Sequence, residues 1–168
     1  MCIRDSDYFL DEVEEVRQKL GLDNFYLIGQ SWGGALTMMY ALKYGQHLKG
    51  AVISSMVDNI EEYVVNVNKC REEALPADAV AYMKQKETEG NWNDPQYQKY
   101  VDVLNAGYVD RKQPTSIRHL ISTTATPVYN AFQGDNEFVI TGKLKEWDIR
   151  DQIPVSYTHL RAHETLRH

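Results

Sequence analysis

The hexapeptide Gly29-Gln30-Ser31-Trp32-Gly33-Gly34 joins the apolar run Phe25-Tyr26-Leu27-Ile28 to the helical stretch Ala35 to Tyr44. A chain that must reverse from a buried strand into a helix within one residue has few ways to fold. The glycines are expected to permit the reversal, because a side chain on either flank of Ser31 would collide with neighbouring backbone. Ser31 would then stand at the tip of a nucleophile elbow, its hydroxyl open to a general base. Backbone amides at the start of the next helix would face negative charge developing on an attacked carbonyl. A hydrolytic serine is the first functional expectation.

Both ends of the chain read as translated sequencing adapter. Met1-Cys2-Ile3-Arg4-Asp5 back-translates to ATG TGT ATA AGA GAC, whose adapter continues into the codon of Ser6. Val155 to Thr165 back-translates to the opposite-strand adapter of the same kit, with Leu166 to His168 as index bases and Pro154 as a junction residue. Residues 1–6 and 154–168 are therefore set aside before the fold is considered, as a tag or a fusion scar would be. The segment expected to be genuine is Asp7 to Ile153, an internal piece of a longer protein.

Without Arg4, Asp5, Arg161, Glu164 and Arg167 the segment holds 15 basic and 22 acidic residues, a net charge of −7. That balance argues against nucleic acid or an anionic membrane as partner, since either calls for a basic patch. No apolar run approaches the roughly 20 residues needed to cross a bilayer. Cys70 is the one cysteine between residues 7 and 153, so no internal disulfide framework exists and a reducing, cytoplasmic setting is the default. His47 and His119 have no metal-ligand spacing with any partner, so neither a metal nor another cofactor is expected.

Phe9, Val13, Val16 and Leu20 recur at steps of four, three and four and predict an amphipathic helix over Asp7 to Leu20, stopped by Gly21. After the elbow helix, Gly50 to Met56 reads as a second apolar strand. The order helix, strand, helix, strand is that of a parallel α/β sheet. Beyond Met56 the pattern turns helical. Ile60, Tyr63, Val64, Val67 and Cys70 share one face; Pro76 opens a second helix that Gly90 closes; Asp94-Pro95 caps a third carrying Tyr97, Tyr100, Val101, Leu104 and Tyr108. Cys70 is read as core. The three tyrosines are read as packing within this insertion, or as lining a pocket for an apolar side chain. Stretches around Gln113-Pro114 and Thr126-Pro127 are expected to be ordinary connections. The expected organisation is a core segment at 7–57, a helical insertion at 58–140 and a return to the core at 141–153.

The elbow, Ala41-Leu42-Lys43-Tyr44, Ile53-Ser54-Ser55-Met56, Val128-Tyr129-Asn130, Gln133-Gly134-Asp135-Asn136-Glu137-Phe138 and Thr141 to Asp148 follow one another in an order that resembles the proline iminopeptidases. The resemblance implies an α/β-hydrolase core whose helical insertion forms a cap closing over the active site. By position it implies Ser31 as nucleophile, the Trp32 amide as half of the oxyanion hole, and Glu137 as the cap carboxylate that holds the free α-ammonium of a short peptide. A carboxylate in a partly closed pocket suits that role, because charge-assisted hydrogen bonds fix the distance from amino terminus to nucleophile. Two positions depart from the family's pattern. Asp135 stands where proline usually precedes Asn-Glu-Phe, which could loosen the loop that aims Glu137, and Gly45 stands where proline usually follows the elbow helix.

The implied chemistry is acyl transfer through Ser31 with a histidine as base. Triad order in this fold is serine, acid, histidine, which places the acid after Ile153 and rules out His47, His119 and the early Asp148 as triad members. Asp148 is read as structural, and His159, His163 and His168 belong to the adapter. The polypeptide as it stands is thus expected to be inactive, with apolar faces left uncovered. Two other readings stay open: a different capped hydrolase such as an esterase, in which Glu137 binds no ammonium, and a noncatalytic binding protein of the same fold.

Overall fold

The computed structural model describes residues 3–109 and 125–153, with side chains from Asp7 onward. The Gln113-Pro114 stretch, His119, Met1-Cys2 and the tail from Pro154 to His168 lie outside the described residues. The chain divides into two compact units, one of Val13–Asp58 with the segment from Asp148 onward, the other of Met1–Glu12 with Asn59–Trp147.

Helix α1 (Ile3–Lys19) is divided between the units at Val13, and in the first unit strand β1 (Phe25–Gln30), helix α2 (Trp32–Tyr44) and strand β2 (Leu48–Ser54) follow it. The strands pair in parallel, from Phe25 opposite Leu48 to Gln30 opposite Ser54, with a register shift between Phe25 and Tyr26. Parallel neighbours need a crossover between them, and α2 supplies it. Alternation along β1 turns Gly29 inward and leaves Tyr26 and Ile28 exposed at 68% and 72%. An apolar strand face is therefore open to solvent.

Helix α1 forms as expected but buries a different face. Val16 and Leu20 are exposed at 55% and 65%, whereas Glu14 is buried. The reason is hydrogen bonding. The buried Tyr40 hydroxyl donates to Glu14 Oε2 at 2.7 Å, Arg17 reaches both carboxylate oxygens at 2.8 and 2.9 Å, and Gln18 donates at 2.8 Å. A carboxylate with this many donors loses little on burial. The Arg17 bond is the main cause that draws the Glu14 carboxyl down from 4.5 to about 2, against the opposing effect of burial. Burial first, and the bond to Glu14 second, pushes the Tyr40 phenol up to about 12.

The second unit is helical: α3 (Ile60–Ala74), α4 (Ala77–Glu89), α5 (Pro95–Leu104) and α6 (Thr126–Phe132), with α5 running on into a π-turn at Asn105–Val109. Its boundaries are written in side-chain chemistry. Asn59 accepts from the Glu62 amide at 2.7 Å, Asp94 accepts from the Gln96 and Tyr97 amides at 3.0 and 2.9 Å, and Gly90 ends α4 at φ 66°. Val67, Val80, Met83, Tyr97, Val101 and Leu104 form the centre of its core. Cys70 is half-buried, in keeping with its place on the inner face of α3. Two expectations are corrected. Tyr108 is exposed, because the π-turn takes it off the buried stripe of α5. Thr126-Pro127 opens helix α6 instead of a loop, with proline at the first helical turn, where its missing amide hydrogen costs nothing.

The Glu14 network yields a pH prediction. Its folded-state pKa lies below the ordinary value, so its stabilisation is complete above 4.5 and is lost as pH falls from there towards 2. Urea midpoints measured across that interval should decline less steeply for Glu14→Gln than for the unaltered chain; identical slopes would contradict the network.

Candidate active site

Ser31 occupies the single residue between β1 and α2, at φ 54° and ψ −124°. This is a sparsely populated conformation for a residue with a side chain, costing on the order of 1–3 kcal/mol, and it persists only where neighbouring structure imposes it. Three backbone bonds do so. The Ser31 amide donates to the Ser54 carbonyl at 2.8 Å, tying the turn to the end of β2, and the Ser31 carbonyl accepts from the amides of Gly34 and Ala35 at 2.8 and 3.2 Å. Ser31 is exposed, and its side chain makes no capping bond although it sits at the helix N-terminus. A serine there ordinarily spends its hydroxyl on an orphan amide. Trp32 is the first residue of α2, so its amide lies at the positive end of the helix dipole.

The glycines divide into two kinds. A Cβ on Gly29 would lie 2.0 Å from the Gly33 carbonyl oxygen and 2.4 Å from Thr37 Oγ1, and one on Gly34 would lie 2.8 Å from Met56 Cβ. Both are required by close approach. A Cβ on Gly33 would meet nothing within 4 Å, so the expected collision on that flank does not occur.

Glu137 belongs to a tight loop between α6 and a 3₁₀ turn at Lys143–Glu146. The Gln133 carbonyl closes the loop by accepting from the amides of Thr141 and Gly142 at 3.1 and 2.9 Å. Gly134 sits at φ 134°, where a Cβ would lie 2.5 Å from the Val139 carbonyl oxygen. Within the loop the residues around Glu137 face inward: Asn136 is buried and Phe138 is packed into the core of the helical unit. Glu137 itself stays partly exposed, its Oε1 accepting from Tyr129 at 2.6 Å and its Oε2 from Gln133 at 2.9 Å. Desolvation, then the bond to Glu137, raises the Tyr129 phenol strongly, so it remains a donor through the working pH range. Tyr129 and Gln133 lie in the motif that carries the resemblance, which assigns them no role. The available signal was their spacing of four, which puts both on one helical face.

Other ionisable candidates are engaged elsewhere. His47 Nδ1 lies 3.4 Å from Asp23 Oδ1, and Asp148 accepts from Arg150 Nη2 at 2.6 Å and Nε at 3.0 Å. Among the described residues no group of three or more His, Cys, Asp or Glu could hold a metal ion, and no helix is long and apolar enough to cross a membrane.

A parallel strand, helix, strand unit with a serine in strained backbone at its reversal defines a class, and the sequence matches that class over residues 5–94, as the alpha/beta hydrolase fold. The chain belongs to the α/β-hydrolase fold family. Its relatives include the proline iminopeptidases of Chitinophaga pinensis, 37% identical over 147 residues that make up 83% of this chain and 49% of that one, and of Flavobacterium johnsoniae, 31% identical over 155 residues, 88% and 51%. Among solved structures, proline iminopeptidase from Mycobacterium smegmatis superposes with a TM-score of 0.75 at 27% identity, covering 89% of this chain and 51% of that one. The crystal structure of VinJ does so at 0.79 and 25%, covering 89% and 52%. The chain spans about half the length of the curated relatives it matches.

The two kinds of glycine should separate on substitution. Gly29→Ala forces backbone apart and is expected to cost at least about 2 kcal/mol, whereas Gly33→Ala, in open space on a helix, should be neutral or stabilising by up to about 1 kcal/mol. Chemical denaturation of both variants checks this; equal losses would contradict the elbow packing.

Proposed function

We propose that this chain carries the nucleophile and the amine-recognising carboxylate of a serine aminopeptidase that releases N-terminal residues, proline foremost, from short peptides. In this reading Ser31 Oγ attacks the carbonyl of the first peptide bond while a histidine accepts its proton, and the Trp32 amide donates to the resulting oxyanion. The peptide beyond the bond leaves with the histidine's proton. Water then hydrolyses the acyl-enzyme, which regenerates Ser31 and frees the N-terminal residue. The histidine and its acid are assigned to the part of the relatives' length that this chain does not span. The chemistry calls for no cofactor, and peptides with a free N-terminus in the cytoplasm are its proposed substrates.

The elbow supports hydrolysis, and one observation supports an aminopeptidase over other hydrolases. Glu137 offers a carboxylate held by two neutral donors, and among the described residues no lysine, arginine or histidine pairs with it. Two other carboxylates carry cations, Glu14 with Arg17 and Glu87 with Arg71, while Asp94, which also has no cation among the described residues, spends its oxygen on Tyr82 and on the helix amides it caps. A partly buried carboxylate without a cation is stabilised by a ligand that brings one, and the α-ammonium of a peptide is such a ligand.

Ser31→Ala in the protein expressed from its complete reading frame should lower hydrolysis by several orders of magnitude. Glu137→Gln should depress kcat/KM for prolyl-4-nitroanilide about 100-fold, as expected when a charge-assisted contact is lost, and do so far more than for 4-nitrophenyl acetate. Equal losses on both substrates would favour an esterase and sink the ammonium assignment.

A further inference from the structure

The Glu137 carboxylate does not choose its own orientation. Tyr129 and Gln133, one helical turn apart on α6 and its C-terminal cap, each donate to a different oxygen. Two donors on two oxygens fix the plane of the group as well as its position. Each oxygen keeps acceptor capacity, since an ionised carboxylate offers about four lone-pair sites and only two are taken. Gln133 is buried, so its amide has little freedom to leave.

The backbone beneath the carboxylate is held just as firmly, by groups that do not reach it. Tyr63 donates to the Glu137 carbonyl at 2.9 Å. The Asn136 side chain accepts from the Phe138 amide at 2.9 Å and donates to the Tyr97 hydroxyl at 2.9 Å. Tyr97 in turn donates to Glu87 Oε1 at 3.3 Å, and Arg71 Nη2 meets the same oxygen at 2.6 Å. Arg71 and Tyr97 are almost wholly buried, at 2% and 0% exposure. A buried ion pair on α3 and α4 is thereby linked through α5 to the loop that presents Glu137. Such a network is rigid when its members are satisfied, and here every buried side-chain nitrogen and oxygen among the described residues has a partner except Arg71 Nε.

We propose that Tyr129 and Gln133 are positioning residues that hold Glu137 in one orientation for a substrate's primary or secondary ammonium, on a loop that the Tyr97 to Asn136 bond keeps in place. The inference rests on the aminopeptidase reading of Glu137 and adds to it the residues through which that carboxylate acts. A secondary ammonium such as proline's brings two N–H donors, which matches the two oxygens left with open lone pairs. A loosened carboxylate would still attract a cation, but would not place the scissile carbonyl reproducibly, and misplacement by about 1 Å is enough to lose about 100-fold in rate.

The test is a double-mutant cycle in the enzyme expressed from its complete reading frame, read as kcat and KM on prolyl-4-nitroanilide and on 4-nitrophenyl acetate. Tyr129→Phe keeps the ring and removes the donor. It should lower kcat/KM for the free-amine substrate about 10-fold or more, and at least fivefold more than for the ester. In a Glu137→Gln background the same substitution should change kcat/KM by less than about twofold, because nothing is left to orient. Gln133→Met should follow the same pattern, and Gln133→Asn, which retains an amide, should recover part of the loss. Undiminished effects in the Glu137→Gln background would show that Tyr129 acts on its own and overturn the proposal, as would equal losses on both substrates. If Glu137→Gln itself leaves free-amine cleavage intact, the ammonium reading fails first; if it acts but Tyr129→Phe does not, the positioning role alone fails.

Discussion

The close approach of Gly29 to Gly33 is the constraint on which the rest of the strand, helix, strand unit depends. Only a glycine at position 29 lets the carbonyl of Gly33 come within 2.0 Å of where a Cβ would stand. That approach brings the first turn of α2 down onto the end of β1, and the serine between them is left at φ 54°. The bond from the Ser31 amide to the Ser54 carbonyl then ties the turn to β2. The turn between strand and crossover helix thus rests on one packing requirement. The strain at Ser31 is offset by the bonds on either side of it, the usual condition under which unfavourable backbone survives at a functional site.

A second constraint governs the helical unit. Polar groups buried there come in chains with few loose ends: Arg71 with Glu87, Glu87 with Tyr97, Tyr97 with Asn136. Arg71 Nε is the one buried side-chain nitrogen or oxygen without a partner among the described residues. Burying an ion pair is rarely stabilising by itself, since desolvation offsets most of the attraction. Through Tyr97 and Asn136 the pair is linked to the Asn136-Glu137-Phe138 loop. Asp135, at the position where the resemblance leads one to expect proline, lies 3.3 Å from the Asn136 side-chain nitrogen and so takes part in the same arrangement.

Much of this was legible in the sequence, and the exceptions have a common cause. Glycine spacing located the elbow, Asp94-Pro95 and Gly90 marked helix ends, and the apolar runs at Phe25 and Gly50 marked the two strands. Each of these is a local signal. On helix α1, apolar periodicity counts Val16 and Leu20 as inward and has no means of seeing that Glu14 meets Tyr40, 26 residues away. At Tyr108 the π-turn shifts the helical phase by a residue, which the apolar periodicity does not show. At the Glu137 site the carboxylate was named from resemblance, while the tyrosine and glutamine that orient it emerged from geometry alone. Long-range polar pairing leaves almost no trace in a single sequence, and it is what positions this site.

The most direct measurement is covalent labelling of the protein from its complete reading frame with a fluorophosphonate, followed by peptide mass mapping. If the proposed histidine serves Ser31 as its base, a serine raised on a strained elbow should be modified, so the label is predicted on the peptide containing Ser31 and absent from Ser31→Ala. Modification of another serine, or none at all in folded protein, would contradict the account.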